Sequence, residues 1–237
     1  MAGKSLVAAG IDCGSSRTRV VFLTLEGSRV RYLSHGEAEG RGWAKGRVVD
    51  PKAIAESAQR AVQAAEARAG IGAEAAVCGV GGGGVDGTTT RGLYEFGRRR
   101  AITREDLVYA IERASRLRLE DDRLVLMVMP QDFTIDGKAG FLNPDGAQAS
   151  RLEANVQVIT ASLQEHECLV AAVHESHLSV EETVFEPVAA GYAAVLPEER
   201  ERGIVLIDIG AQSTELAIYS SDALMSSSSI PIGGDHF

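Results

Sequence analysis

Apolar positions along this chain alternate between short β-branched runs and longer stretches with helical spacing. Leu6 to Ile11 and Thr18 to Leu25 predict two strands, joined by the turn Asp12-Cys13-Gly14-Ser15-Ser16-Arg17. A third strand is expected from Val30 to Ser34. The polar, glycine-rich segment from Gly40 to Gly46, which holds the single tryptophan Trp43, reads as surface. Asp50-Pro51 starts a helix, with an N-cap followed by proline at the first helical position. Ile54, Ala58, Ala61, Val62 and Ala65 form its apolar face, Gly70 ends it, and Ala75 to Val80 follows as a short buried strand.

The texture then changes. Gly81 to Gly84 is a run of glycines without the Lys-Ser/Thr of a Walker loop and without a following helix, so it reads as a flexible crossing into an inserted module. Thr103 and Asp106 form a capping box, and Leu107, Ala110, Ile111, Ala114 and Leu117 give the buried stripe of the helix behind it. Strands are expected at Leu124 to Met129, Asp132 to Ile135 and Ala154 to Thr160. Helical spacing returns from Ser162 to Glu175, and Val180 to Phe185 reads as a strand. Glu186-Pro187 opens an alanine-rich helix, Pro197 to Arg202 reads as a charged turn, and Ser226 to Ser229 as a polar hairpin region. Gly203 to Ile209 is the most apolar strand and ends in Asp208-Ile209-Gly210.

Here the chain repeats itself. Asp208-Ile209-Gly210-Ala211-Gln212-Ser213-Thr214 matches the segment from Asp12 to Thr18: an acid at a strand end, a glycine two residues on, a small polar turn, a returning strand. An aspartate there can orient a hydrated Mg²⁺ against phosphate oxygens. The glycine admits those oxygens close to the backbone, and N–H groups with Ser and Thr hydroxyls donate to them. A single D-x-G is most often only a hairpin turn. The matched pair instead predicts two related lobes facing one another across a polyphosphate cleft.

Composition narrows the partners. A formal charge of −9 opposes bulk attraction to nucleic acid or anionic lipid, and Arg98-Arg99-Arg100 is an isolated solvated face. Cys13, Cys78 and Cys168 are odd in number and widely spaced, which points to a reducing cytoplasm and neither a zinc site nor a disulfide framework. His174 and His177 lack a third ligand at helical spacing. The N-terminus enters a strand directly rather than a signal peptide, and no apolar run approaches a membrane span.

The residues resemble the bacterial cell-division protein family FtsA, a branch of the actin-like superfamily. The likeness extends beyond the two turns to Arg41-Gly42 through Asp50, Ile102 to Asp106, Met129 to Phe133, Asn143-Pro144, Arg151 to Ala154, Phe185-Glu186-Pro187 and Ile230 to His236, in the family's order. It implies an α/β fold of duplicated actin-like (ribonuclease H-like) lobes: residues 1–80 with 161–184 as the first lobe, 81–160 as an inserted small α+β subdomain of SHS2 type, and 185–237 as the start of an incomplete second lobe. It implies ATP and Mg²⁺ as cofactors, with Asp12, Gly14, Ser15, Ser16 and Arg17 in the first clasp. Asp208, Gly210, Gln212, Ser213 and Thr214 would form the second, Asp12 and Asp208 holding the metal largely through water, and Glu186 orienting the attacking water of at most a weak ATPase. It further implies filament formation, recruitment of the tubulin-like FtsZ and other division proteins, no nucleic acid, and a place on the cytoplasmic face of the inner membrane at the division site. The region contacting adenosine, the FtsZ-binding subdomain and the amphipathic membrane helix would lie outside this sequence, so membrane contact is peripheral and depends on that helix. Ala211 and Gln212 stand where the family has glycines and threonines; they are expected to crowd a phosphate in the second clasp and weaken its binding, unless Gln212 donates a hydrogen bond to it. Two other readings are a degenerate actin-like interaction module without nucleotide turnover, and a sugar or metabolite kinase of the superfamily. The kinase would need an acidic substrate loop that the sequence does not display.

Overall fold

The computed structural model describes residues 6–27 and 29–237. β1 (Leu6–Cys13), β2 (Arg17–Glu26) and β3 (Arg29–Glu39) form an antiparallel meander. A two-residue hairpin, β4 (Trp43–Ala44) with β5 (Arg47–Val48), leads into α1 (Pro51–Ala69). The helix begins where the sequence places it: the Asp50 carboxylate accepts from the backbone N–H of Lys52 and Ala53, both at 3.1 Å. Gly70 closes it at φ 69°, a left-handed conformation suited to glycine. β6 (Ala75–Val80) then runs parallel to β1.

A second sheet interrupts this lobe. It contains β7 (Asp86–Ala101), β8 (Arg123–Ile135), β9 (Lys138–Phe141) and β10 (Gln148–Ser162) in the order β7-β10-β8-β9, with α2 (Arg104–Ser115) against one face. β7 was not legible, because its inner positions include Gly92, buried under α2, and the half-buried Tyr94 and Phe96 among exposed polar residues. The two strands expected either side of Pro130 are one. The ladder slips between Pro130 and Asp132, and this bulge accommodates a proline that has no N–H to donate. The capping box is present, with the Thr103 N–H donating to Asp106 Oδ2 at 2.9 Å. Arg100 supports it by donating to both Asp106 oxygens at 2.5 and 2.7 Å.

The chain returns through α3 (Leu163–His174) to β11 (Ser179–Phe185), which completes the first sheet in the order β11-β6-β1-β2-β3. The core of this lobe lies between that sheet and α1 with α3, and includes Phe22, Ile54, Ala58, Ala61, Cys78, Leu169, Val173 and Phe185. His174 accepts from the Val180 N–H at 3.2 Å, which explains one of the paired histidines as a local tie.

α4 (Glu186–Ala194) leads to α5 (Pro197–Arg202), a helix rather than the expected charged turn. Its charged residues are used internally. Glu199 caps the Leu196 N–H at 2.9 Å, and the buried Arg200 donates to Asp222 at 2.7 Å, to the Val195 carbonyl at 3.0 Å and to the Gly191 carbonyl at 3.2 Å. A third sheet, β12 (Ile204–Ile209), β13 (Thr214–Ser220) and β14 (Ala223–Ile230), follows in sequential antiparallel order. The serine run from Ser226 to Ser229 lies inside β14, not at a turn. On the edge strand β12, Val205, Ile207 and Ile209 are 54, 58 and 66% exposed, an open apolar face of the kind expected there.

Candidate functional site

The two D-x-G hairpins are built on one register. Across the β1–β2 ladder Asp12 pairs with Arg19 and Cys13 with Thr18; across β12–β13 Asp208 pairs with Glu215 and Ile209 with Thr214. Each acid therefore faces the residue seven positions on, and each turn spans four residues. A Cβ on Gly14 would stand 2.9 Å from the Arg17 carbonyl oxygen, and one on Gly210 would stand 3.1 Å from that of Ser213. The two glycines meet the same steric demand at equivalent points, which is the physical content of the repeat.

The fold brings residues of both turns together with Glu186. Gly14, Ser15, Ser213 and Glu186 line one small cavity of about 30 Å³, with Trp43 and Gly82 as further walls. A larger open recess of about 410 Å³ lies beside the first turn, bounded by Ser15, Ser16, Arg17, Gly40 and Asp235 among others. Three anticipated side chains take other partners. Arg17 is turned outward onto Glu37 at 3.4 Å, with its side chain 57% exposed. Thr214 donates to the Ile232 carbonyl at 2.7 Å. Gln212 spans the cleft, its Oε1 accepting from the Gly46 N–H at 3.2 Å. The segment after β14 is drawn onto the second turn as well, because Gly234 and Asp235 donate their N–H groups to the carbonyls of Gly210 and Ala211 at 2.9 and 2.8 Å.

The electrostatics are those of crowded acids. Burial pushes the Asp12 carboxyl up to about 6; Arg19, 3.8 Å away, opposes the rise and Asp208 adds to it. Glu186, the first residue of α4, is driven well above the ordinary carboxylate range by burial and then by Asp12, Glu215 and Asp208. Glu215 is pushed up to about 7, again chiefly by burial; the Gly82 N–H opposes the rise, and Asp208 and Asp12 add to it. Beneath the first turn burial also raises the Cys13 and Cys78 thiols, the latter to about 12, so neither is a ready nucleophile.

Sequence reasoning missed Arg19 and Glu215. Their signal lies in the hairpin register, since each sits across the ladder from a clasp aspartate. It also misread the glycine run, which is a tied wall of the cleft rather than a flexible crossing. The Gly82 N–H donates to Glu215, the Gly83 N–H donates to the Gly46 carbonyl at 3.0 Å, and the Gly84 carbonyl accepts from Ser162 and Arg123. A Cβ on Gly81 would lie 2.6 Å from a Glu215 oxygen and would also collide with Glu186. The segment expected on the surface is likewise part of the site, since Gly46 meets Gln212 and Trp43 packs against the core.

These residues fit a hydrated cation rather than a dry chelate. Among the described residues no group of three or more His, Cys, Asp or Glu is arranged to ligate a metal directly. Mg²⁺ dehydrates reluctantly and keeps several waters, so Asp12 and Asp208 are the residues that would hold it from its outer shell.

Two family models match this chain: an SHS2 domain inserted in FtsA over residues 82–160, and MreB/Mbl protein over residues 160–237. The chain is 30% identical to cell division protein FtsA of Pseudomonas aeruginosa over 235 residues, covering 98% of this chain and 55% of the relative. It is 31% identical to FtsA of Borreliella burgdorferi over 226 residues, covering 94% of this chain and 55% of that protein. FtsA of Bacillus subtilis matches at 28% over 227 residues, 95% of this chain and 52% of the relative. The chain thus spans about half the length of these relatives. Among solved structures, one described as a PilM–PilN type IV pilus biogenesis complex superposes with a TM-score of 0.67 at 18% identity, over 97% of this chain and 62% of that one. The ethanolamine utilization protein EutJ of Carboxydothermus hydrogenoformans superposes at 0.54 and 15% identity, over 98% of this chain and 54% of that one. These two likenesses speak to the fold alone. With an SHS2 module of the FtsA type set into an actin-like framework, this chain is similar to FtsA sequences along nearly its whole length.

Proposed function

We propose that this chain is the nucleotide-clasping portion of an actin-like cell-division scaffold, holding the polyphosphate of ATP with Mg²⁺ between its two hairpin turns. The observation that carries this reading is the shared register of the two hairpins, with Ser15 of one and Ser213 of the other lining one cavity. In this reading the backbone of Gly14 to Arg17 and of Gly210 to Thr214, with the Ser15, Ser16 and Ser213 hydroxyls, cradles phosphate oxygens. Asp12 and Asp208 anchor a hydrated Mg²⁺. Bound Mg²⁺ would offset the repulsion that raises Asp12, Glu186 and Glu215. Glu186 then orients a water for slow hydrolysis. In the family's setting the chain assembles into filaments with division proteins, FtsZ included, at the cytoplasmic face of the inner membrane. No helix among the described residues is long and apolar enough to cross a membrane, so the attachment proposed is peripheral.

One observation favours a second reading, an actin-like interaction module that does not turn nucleotide over. Gln212 ties the second turn to Gly46 of the β4–β5 loop, and the cavity between the turns is only about 30 Å³. Trp43 decides between the two, because it is the only tryptophan and borders that space. Its emission is expected to change saturably on titration with ATP in the presence of Mg²⁺, and much less in Asp208→Ala. A flat response, together with no retention of labelled ATP in equilibrium dialysis, would leave the interaction module as the function.

A further inference from the structure

The inserted module is joined to the second lobe by more than its chain connections. Gly82 stands at its root, at φ 88°, a left-handed value. Two side chains of the second lobe hold this residue from both sides. The Glu215 carboxylate of β13 accepts its N–H, and the Ser229 hydroxyl of β14 donates to its carbonyl at 2.8 Å. Glu215 and Ser229 are directly paired across the β13–β14 ladder, so one point of the sheet makes both contacts.

The grip continues as a polar seam. Gln157 of β10 donates to the Ser227 hydroxyl at 3.2 Å, and Gln131 of β8 donates to the carbonyls of Leu224 and Met225, both at 2.9 Å. Gln131, Gln157 and Ser227 are each buried. These buried carboxamides and hydroxyls find their partners across the seam, beside apolar contacts that include the buried Leu224. The serine run in β14 thereby acquires a role. Glu215 also faces the cleft, where Asp12 of β1, Glu186 of α4 and Asp208 of β12 act on its charge.

We propose that Glu215 and Ser229 latch the root of the inserted module to the second lobe, so that closing the second clasp on its ligand and seating the module are one movement. This rests on the nucleotide-clasping reading above. Glu215 lies across the ladder from Asp208, so a shift of the second clasp displaces the carboxylate that holds the Gly82 N–H.

Amide hydrogen exchange on the full chain, with and without ATP and Mg²⁺, tests this. In the wild type the ligand is expected to slow exchange across Gly82 to Val85 by about tenfold, the scale of one charge-assisted hydrogen bond. Glu215→Gln keeps an acceptor for the Gly82 N–H, so slow exchange is retained. Glu215→Ala exchanges quickly in both conditions. Ser229→Ala, a gentler change, raises exchange at the same amides while leaving the thermal midpoint close to wild type. The latch is overturned if Trp43 reports ligand binding while these amides do not respond, or if Glu215→Ala and Ser229→Ala both exchange there as slowly as wild type. Should Trp43 report no binding, the nucleotide reading alone falls, and the comparison of unliganded variants still decides whether the latch exists.

Discussion

Replacing Glu215 with glutamine is expected to flatten the dependence of folding stability on pH. In the folded protein burial, with Asp208 and Asp12 nearby, pushes this carboxyl up to about 7, whereas in an unfolded chain it titrates near its ordinary 4.5. Between these values the folded state keeps a proton that the unfolded state has released. Stability therefore falls as pH rises through the window, and the whole loss is present above about 7. A displacement of that size is worth about 3 kcal/mol. Asp12, raised to about 6, and Glu186 act in the same direction, so the wild type loses more than one group's share. Glutamine still offers an oxygen to the Gly82 N–H and brings no charge, so the difference between the two proteins reports Glu215 together with the rise it imposes on Glu186. Urea unfolding followed by Trp43 emission and far-UV circular dichroism at pH 5 and pH 8 measures it. The loss between the two pH values should be smaller in the variant by about 2.5 kcal/mol, and at pH 8 the variant should be at least as stable as wild type. An equally steep pH dependence in the two proteins would show that the acids of the cleft do not share one field.

Thr103→Ala removes the hydroxyl of the α2 capping box and should cost about 1 kcal/mol in urea unfolding; no change would mean that Arg100 and Asp106 hold the helix start alone. Gly82→Ala forces an L side chain to φ 88° against the Gly46 carbonyl. It should destabilise by at least ~1 kcal/mol and shift Trp43 emission, and a spectrum identical to wild type would count against a tied glycine wall. Ile207→Lys places a charge on the exposed apolar face of β12, and should lower self-association in sedimentation velocity without changing the far-UV spectrum; unchanged association would exonerate that face.

Much of the architecture was legible because local chemistry and tertiary demand agree. Asp50, Pro51 and Gly70 bound α1, and its apolar face is the buried one, because capping and 3.6-residue spacing need only neighbours in sequence. The hairpin repeat was legible for the same reason: an acid, a glycine and a short polar turn state their geometry within a few residues. Three segments were not legible. β7 hides its inner face behind Gly92, since α2 approaches too closely there for a side chain. α5 looked like a charged turn because its arginine is buried by partners on other elements, which no local pattern announces. The serine run read only as a polar hairpin region because its partners, Gln157 and Gly82, lie far away in sequence.

The sequence by itself therefore determined the two clasps, most of the helices and strands, and the resemblance to the actin-like FtsA family. Only the tertiary structure decided that Gln212 reaches across to Gly46, that Arg17 turns out to Glu37, and that Asp12, Glu186, Asp208 and Glu215 share one field. The physical reason is range. Caps, turns and periodicity act over a few residues of chain, whereas charge repulsion and cross-cleft hydrogen bonds act through space between groups that folding alone brings together.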